Sequence, residues 1–308
     1  DSGWDTPYGD GQAVWNNWTI DRGYYVFDGV TGSGLNGSSY GFHLKPTICP
    51  LSGTSGENSL SFFRYNTTSD SGMEFRHIFF EGCGNTNPNV CSYGIKSNAA
   101  LAENFDSIIS NNLFYGHAVN LVLYHWRNTL VEHNIFDSNW SGSVCHGEQT
   151  TFGYFSNNIT YRYNIHRNSA VGGLAVHGTS GVNDVSNSNW KVYGNIFYGG
   201  RVALGVIGVA DSGPTHRDVI KNWEVYNNTV YNVVGGGFGA GFSHGECTDT
   251  AYASKVYNNV FVNTTHPIFT STNQSCVIHD YNSFYDCTWL GSSSLIPQEL
   301  NIIFNSWG

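Results

Sequence analysis

One phrase recurs along this chain: an asparagine followed by an apolar residue and, in most copies, by Phe. It reads Asn112-Leu113-Phe114, Asn134-Ile135-Phe136, Asn164-Ile165, Asn195-Ile196-Phe197, Asn228-Thr229-Val230, Asn259-Val260-Phe261 and Asn282-Ser283-Phe284. Consecutive asparagines are 22, 30, 31, 33, 31 and 23 residues apart. Weaker copies stand earlier, at Arg76-His77-Ile78-Phe79-Phe80 and Tyr25-Val26-Phe27-Asp28-Gly29-Val30. A repeat of this length means stacked units that cannot bury a core alone. Each unit carries short alternating runs such as Trp190-Lys191-Val192-Tyr193, separated by turn residues. Helical repeats would need two amphipathic helices per unit, and none is present.

The expected fold is therefore all-β: a right-handed parallel β-helix, a solenoid of roughly eight to ten coils. It forms a single domain over residues 1–308, with 1–17 and 288–308 as irregular or capping segments and a truncated chain allowed. The recurring asparagines are expected at turns in the left-handed conformation, bonding to one another from coil to coil. Phe114, Phe136, Phe197, Phe261 and Phe284 are expected to stack inside. Coils longer than the shortest spacing must place their extra residues in loops, where a binding site would be built.

The fold is similar to that of the right-handed parallel β-helix superfamily of pectate-lyase-like proteins. The resemblance rests on the repeated phrase, the coil length and the run Trp18-Thr19-Ile20-Asp21-Arg22-Gly23-Tyr24-Tyr25-Val26-Phe27-Asp28-Gly29, and extends from about Trp18 to Phe284. It implies a secreted, polysaccharide-degrading type of protein. The capping helix usual in the superfamily is not visible before Trp18. The superfamily holds lyases, hydrolases, epimerases, adhesins and tailspikes, so the resemblance bears on fold more than on reaction.

Counting from the ladder asparagines brings out a candidate site. His125 follows Asn112 by 13, His146 follows Asn134 by 12, and His177 follows Asn164 by 13. His244 lies 16 after Asn228, and Asp211 lies 16 after Asn195. The phrase His-Gly-Glu occurs twice, as His146-Gly147-Glu148 and His244-Gly245-Glu246. Coils stack about 4.8 Å apart, so these nearly matching counts, with Val233-Val234-Gly235-Gly236-Gly237 read as a short insertion before His244, predict one column containing His146, His177, Asp211 and His244. Glu148 and Asp211, two coils apart, would then approach the separation of an inverting glycosidase pair. Asp211 and Glu246, one coil apart, would suit a retaining pair or a shared cation. A histidine could instead be the base of a lyase. The expected catalytic set is His146, Glu148, His177, Asp211, His244 and Glu246, with His125, Trp126, Arg127, Tyr154 and Arg217 binding substrate. The one cofactor that fits is a divalent cation such as Ca2+, at Asp211, His244 and Glu246. Two other readings of the column stand beside catalysis: a purely structural ladder and a metal site.

Charge and cysteine content bound the partners. The net charge of −10, with no basic run, argues against nucleic acid and disfavours polyanions unless basic residues cluster or a cation intervenes. No stretch approaches the length of a transmembrane helix. Seven cysteines without a zinc spacing favour an oxidising compartment, so a secreted or extracellular location is expected. Disulfides are expected between Cys247 and Cys276 and between Cys83 and Cys91, with Cys49, Cys145 and Cys287 unassigned. Sequons stand at Asn17, Asn36, Asn66, Asn139, Asn158, Asn227, Asn263 and Asn273. The partner expected is a polysaccharide or glycan, cleaved by hydrolysis or cation-assisted β-elimination. The alternative is a non-catalytic extracellular fibre, adhesin or cell-surface protein, whose solenoid ends could self-associate end to end.

Overall fold

Strands that pair in parallel need a crossover between them, and every strand pair described in this chain is parallel, each partner lying one coil away. The result is a right-handed parallel β-helix. The computed structural model describes residues 13–15, 18–20, 23–29, 40–46, 60–65, 69–84, 91–97, 103–141, 147–153, 156–177, 185–207, 218–238, 254–268, 277–288 and 302–304. Three long sheets of eleven, nine and eight strands run along the axis, with small sheets of three and two strands at one corner.

One coil shows the plan. Val119–Tyr124 lies in the eight-stranded sheet, Leu130–Glu132 in the nine-stranded sheet and Ile135–Asp137 in the eleven-stranded sheet. Along the ladder, from Asn112 to Asn282, the chain passes from the nine- to the eleven-stranded sheet through two residues, such as His133 and Asn134, and the second of these is the ladder asparagine; earlier, residues 29–41 join Val26–Asp28 to Phe42–Leu44. Each ladder Asn Oδ1 accepts two bonds from the coil before it. Asn134 Oδ1 takes the backbone N–H and the side-chain Nδ2 of Asn112, both at 3.0 Å. The pattern continues through Asn164, Asn195, Asn228, Asn259 and Asn282. Each Nδ2 also reaches a backbone carbonyl, as Asn134 does to Ile109 O at 2.8 Å. All seven asparagines are buried.

The left-handed residue is not the ladder asparagine but the one before it: Asn111, His133, Tyr163, Gly194, Asn227, Asn258 and Tyr281 all have positive φ. The reason is directional. The sharp turn is made by the exposed residue, which leaves the asparagine side chain aimed inward at the next coil. A second, exposed ladder of left-handed residues runs along the corner before the nine-stranded sheet: Asn128 bonds Asp106, Asn158 bonds Asn128, and Asn222 bonds Asn189.

The expected phenylalanine column is present. Phe80 and Phe114 stack at 4.4 Å, Phe114 and Phe136 at 5.1 Å, and Phe261 and Phe284 at 5.2 Å. His166 occupies one step of it, 4.8 Å from both Phe136 and Phe197. Its ring nitrogens meet Gln149 Oε1 at 2.9 Å and Tyr161 Oη at 2.8 Å, and Tyr161 Oη lies 3.1 Å from Thr150 Oγ1. Burial pushes the His166 pKa down to about 3 and does the same to the buried His117.

Both terminal segments expected to be irregular contain strands of the solenoid. Ala13–Trp15 pairs with Phe42–Leu44, and Ile302–Phe304 pairs with Ser283–Tyr285. The parallel ladder therefore extends beyond the recognisable repeat, because strand pairing needs no asparagine.

Two predictions follow from these interactions. Asn195→Ala leaves the Asn164 backbone N–H and Nδ2 without their acceptor and costs at least about 2 kcal/mol in urea unfolding, whereas Asn189→Ala on the exposed ladder costs under about 0.5 kcal/mol. His166 and His117 are neutral when folded and take up protons when unfolded below about pH 6.5. Their contribution is whole above that pH and is lost as pH falls from there towards 3. Unfolding free energy should therefore drop between pH 6.5 and 5 by up to about 1.4 kcal/mol per pH unit for each histidine, and His166→Gln should reduce that slope.

Candidate functional site

Within the asparagine repeat, from Asn112 to Asn282, long connections border the eight-stranded sheet on both sides. Residues 138–147 lead into its strand Glu148–Gly153, while 178–190, 208–223 and 239–253 lead away from its later strands towards the nine-stranded sheet. The turn between the other two sheets is kept short by the asparagine ladder. Loops built on a rigid sheet are where binding residues gather, so this sheet and its borders form the candidate site.

Side chains alternate along its strands. Leu121, Leu123, Phe152, Leu174, Val176 and Leu204 enter the core. The alternate positions form an outward column in register: Lys96, Val122, Thr151, Ala175 and Gly205, with which the backbone positions of Arg64 and Thr19 pair in turn. Arg64 and Lys96 are thus neighbours on successive coils. Lys96 Nζ lies 4.4 Å from the centroid of the Tyr93 ring, a cation–π contact, and burial raises the Tyr93 pKa. The basic pair escaped the sequence reading because it lies before the first clear asparagine, where no count supplies a register. Val122, Thr151 and Ala175 face outward yet are only 4%, 5% and 2% exposed.

The strand register does not support the expected column. Tyr124, Gly153, His177 and Ile207 are in line. His125 therefore falls one position past His177, in a left-handed turn. Glu148 pairs with Gly172, and Gly172 with Val202, so Glu148 shares a level with Val202 rather than with Asp211. Glu148 and Gly153 stand at opposite ends of one strand, roughly 16 Å apart at strand rise. The register thus does not support the counting that predicts an inverting pair of Glu148 and Asp211, and Asp211 itself lies outside the described residues. The error has a simple cause: the extra residues of the Asn134 coil precede its strand in the eight-stranded sheet, whereas those of the Asn164 and Asn195 coils follow it. Glu148 is moreover buried, at 3% exposure.

His146, Tyr154, Asp211, Arg217, His244 and Glu246 lie outside the described residues, as do Cys49, Cys145, Cys247 and Cys276 and the sequons at Asn17, Asn36, Asn66 and Asn273. His177 is described in its backbone alone, at the last position of Gly172–His177. In the chain, Asp211 and Arg217 stand between Val202–Ile207 and Asp218–Lys221, and His244 and Glu246 between Gly236–Phe238 and Ser254–Tyr257. Among the described residues no group of three or more His, Cys, Asp or Glu is placed to hold a metal.

Trp126 cannot stack on a sugar ring, because it is 1% exposed and part of the core. It is one of three buried indoles at this corner, with Trp190 and Trp223, which stack at 4.5 Å. Trp140 is buried as well, whereas Arg127 and Tyr124 are half-buried. Asn139 is also unsuited to its expected role. It is 6% exposed, its Oδ1 accepts the Ala170 N–H at 2.9 Å, and its Nδ2 donates to Gly147 O. Asn158, Asn227 and Asn263 are exposed. Cys83 and Cys91 are both half-buried, and Cys287 is a free thiol whose pKa burial raises. No helix among the described residues is long and apolar enough to cross a membrane.

Comparison with solved structures shows the fold. The chain is similar to polygalacturonase from Erwinia carotovora ssp. carotovora, at 10% identity and a TM-score of 0.50, over 95% of this chain and 86% of that one. It shares the pectate-lyase-like β-helix. The A-module of Azotobacter vinelandii mannuronan C-5 epimerase AlgE6 matches over 96% of this chain and 92% of that one, with 12% identity and a TM-score of 0.44. The tailspike protein of E. coli bacteriophage HK620, solved in double-mutant form with a pentasaccharide, matches over 96% of this chain and 61% of that one, at 15% identity and a TM-score of 0.40. No protein-family model matches the chain, and no curated protein matches it by sequence.

A core role for Trp126 predicts that Trp126→Ala lowers unfolding free energy by about 3–5 kcal/mol, measured in urea, as a surface platform would not. In a glycosylating host, peptide mass spectrometry should find sugar at Asn158 and Asn227 and none at Asn139.

Proposed function

We propose that the chain is an exported, carbohydrate-active β-helix protein whose working face is the eight-stranded sheet and its bordering loops. The observation that carries this reading is the concentration of long connections on both sides of that sheet, beside the paired positions Arg64 and Lys96. Two basic residues at paired positions on successive coils suit the carboxylates of an acidic glycan. They also offer such a ligand a local exception to the protein's net charge of −10. The similarity to a polygalacturonase fold agrees with this substrate class.

For cleavage, the reading assigns the chemistry to residues that follow the sheet: His177, Asp211, His244 and Glu246. Two carboxyl groups such as Asp211 and Glu246 would divide acid and base roles in hydrolysis. In β-elimination, His177 or His244 would take the proton beside a uronate carboxylate while a divalent cation such as Ca2+, held by Asp211, His244 and Glu246, would neutralise that carboxylate. His146 and Glu148 are left without a catalytic role by the strand register. Disulfides joining Cys83 to Cys91 and Cys247 to Cys276 belong to this proposal, as does glycosylation at the exposed sequons.

A second reading, a non-catalytic extracellular fibre or adhesin, is favoured by one observation: Val122, Thr151 and Ala175 are buried although they face outward. The test separates the two. A panel of acidic and neutral polysaccharides is incubated with and without Ca2+, and both reducing ends and unsaturated products are followed. The enzymatic reading expects product from an acidic glycan, with Asp211→Asn and His177→Ala each reducing kcat at least about 100-fold. Absence of product from every glycan, with binding retained, would overturn cleavage and leave the adhesin reading.

A further inference from the structure

A second, unassigned cavity opens on a different face. It measures about 320 Å³ and lies on the outer side of the nine-stranded sheet, bordered by Asn189, Asn222, Lys191, Glu224 and Lys255. Its floor is formed at Trp190 and Trp223, whose stacked side chains are fully buried and make that wall rigid. Lys191, Glu224 and Lys255 are in strict register on three successive coils. The two ammonium groups therefore stand on positions roughly 9.6 Å apart, with the carboxylate midway.

These three charges do not satisfy one another. Among the described residues none of them takes part in an ion pair, in contrast to Arg162 with Glu132 at 2.6 Å and Arg167 with Asp137 at 2.8 Å on neighbouring coils. The exposed asparagine ladder is also interrupted here: Asn222 Nδ2 donates to Asn189 Oδ1 at 3.2 Å, while Asn189 Nδ2 does not continue to Asn158. The rim thus offers donors from two lysines and Asn189, and acceptors from Glu224 and Asn222. Its local charge is positive on a protein whose net charge is −10.

We propose that this cavity is a docking site for an acidic oligosaccharide, separate from the working face. Carboxylates spaced along a repeating polymer meet Lys191 and Lys255 on alternate coils, and ring hydroxyls between them donate to Glu224 and Asn222. Such a site holds a long chain to the solenoid without taking part in chemistry. The choice of a glycan rests on the carbohydrate reading above; the location and charge of the site do not.

Calorimetric titration of the full chain with de-esterified polygalacturonate, neutral dextran and polyglutamate at low salt tests the site. The expected result is binding of polygalacturonate but not dextran, weakened about tenfold in the K191A/K255A double variant by loss of two exposed charge contacts. Glu224→Gln should tighten it by removing the carboxylate between the lysines. Both variants change exposed or half-buried side chains, and unchanged urea unfolding verifies that the fold is kept. Wild-type affinity in the double variant would overturn the proposal. If Lys96→Ala abolished that binding instead, the working face would stand and this site would fall. Equal binding of polyglutamate that depends on Lys191 and Lys255 would overturn the glycan assignment.

Discussion

The structure depends on one buried interaction, the side-chain amide that bonds an identical amide in the next coil. An asparagine supplies both halves of it, accepting from the coil before and donating to the coil after, so one residue type propagates the stack indefinitely. Burial makes the arrangement strict. An amide without its partner costs about 1–3 kcal/mol in a dry interior, so each coil holds its neighbour in register. The two-residue turn that carries the ladder cannot lengthen without breaking it. Where the ladder runs, variation in coil length is therefore displaced to the borders of the eight-stranded sheet.

The same displacement positions function. A solenoid with one invariant corner has two elastic ones, and both flank a single sheet. His177 closes a strand of that sheet, and Lys96 stands on its outward column, paired in register with Arg64. The opposite corner is occupied by columns with other roles: stacked tyrosines Tyr193, Tyr226 and Tyr257, at 4.8 and 5.1 Å, and the Glu132–Arg162 ion pair. The tyrosine rings face one another rather than solvent, so they stiffen the surface instead of offering platforms to sugar rings.

The interior also shows what a column tolerates. His166 replaces phenylalanine within the aromatic stack, and the cost of its ring nitrogens is met by Gln149 and Tyr161. It was legible in retrospect from Asn164-Ile165-His166, where the third residue is the one that enters the core. His166 is thus a structural histidine. The histidines first singled out for chemistry were chosen by counting from the ladder, which holds only where no residues are inserted between ladder and strand.

The amino-acid pattern alone determined the all-β solenoid, the register of its asparagines from Asn112 to Asn282 and the phenylalanine interior, because these repeat at fixed offsets from one short turn. It also revealed that extra residues must be shed somewhere in each coil. Only the tertiary structure decided where. Whether an insertion precedes or follows a strand leaves the coil length unchanged, yet it moves Glu148 to the opposite end of its strand from Gly153. Burial was equally beyond the pattern: Trp126 and Asn139 look like surface residues in sequence, and packing against neighbouring coils places both inside.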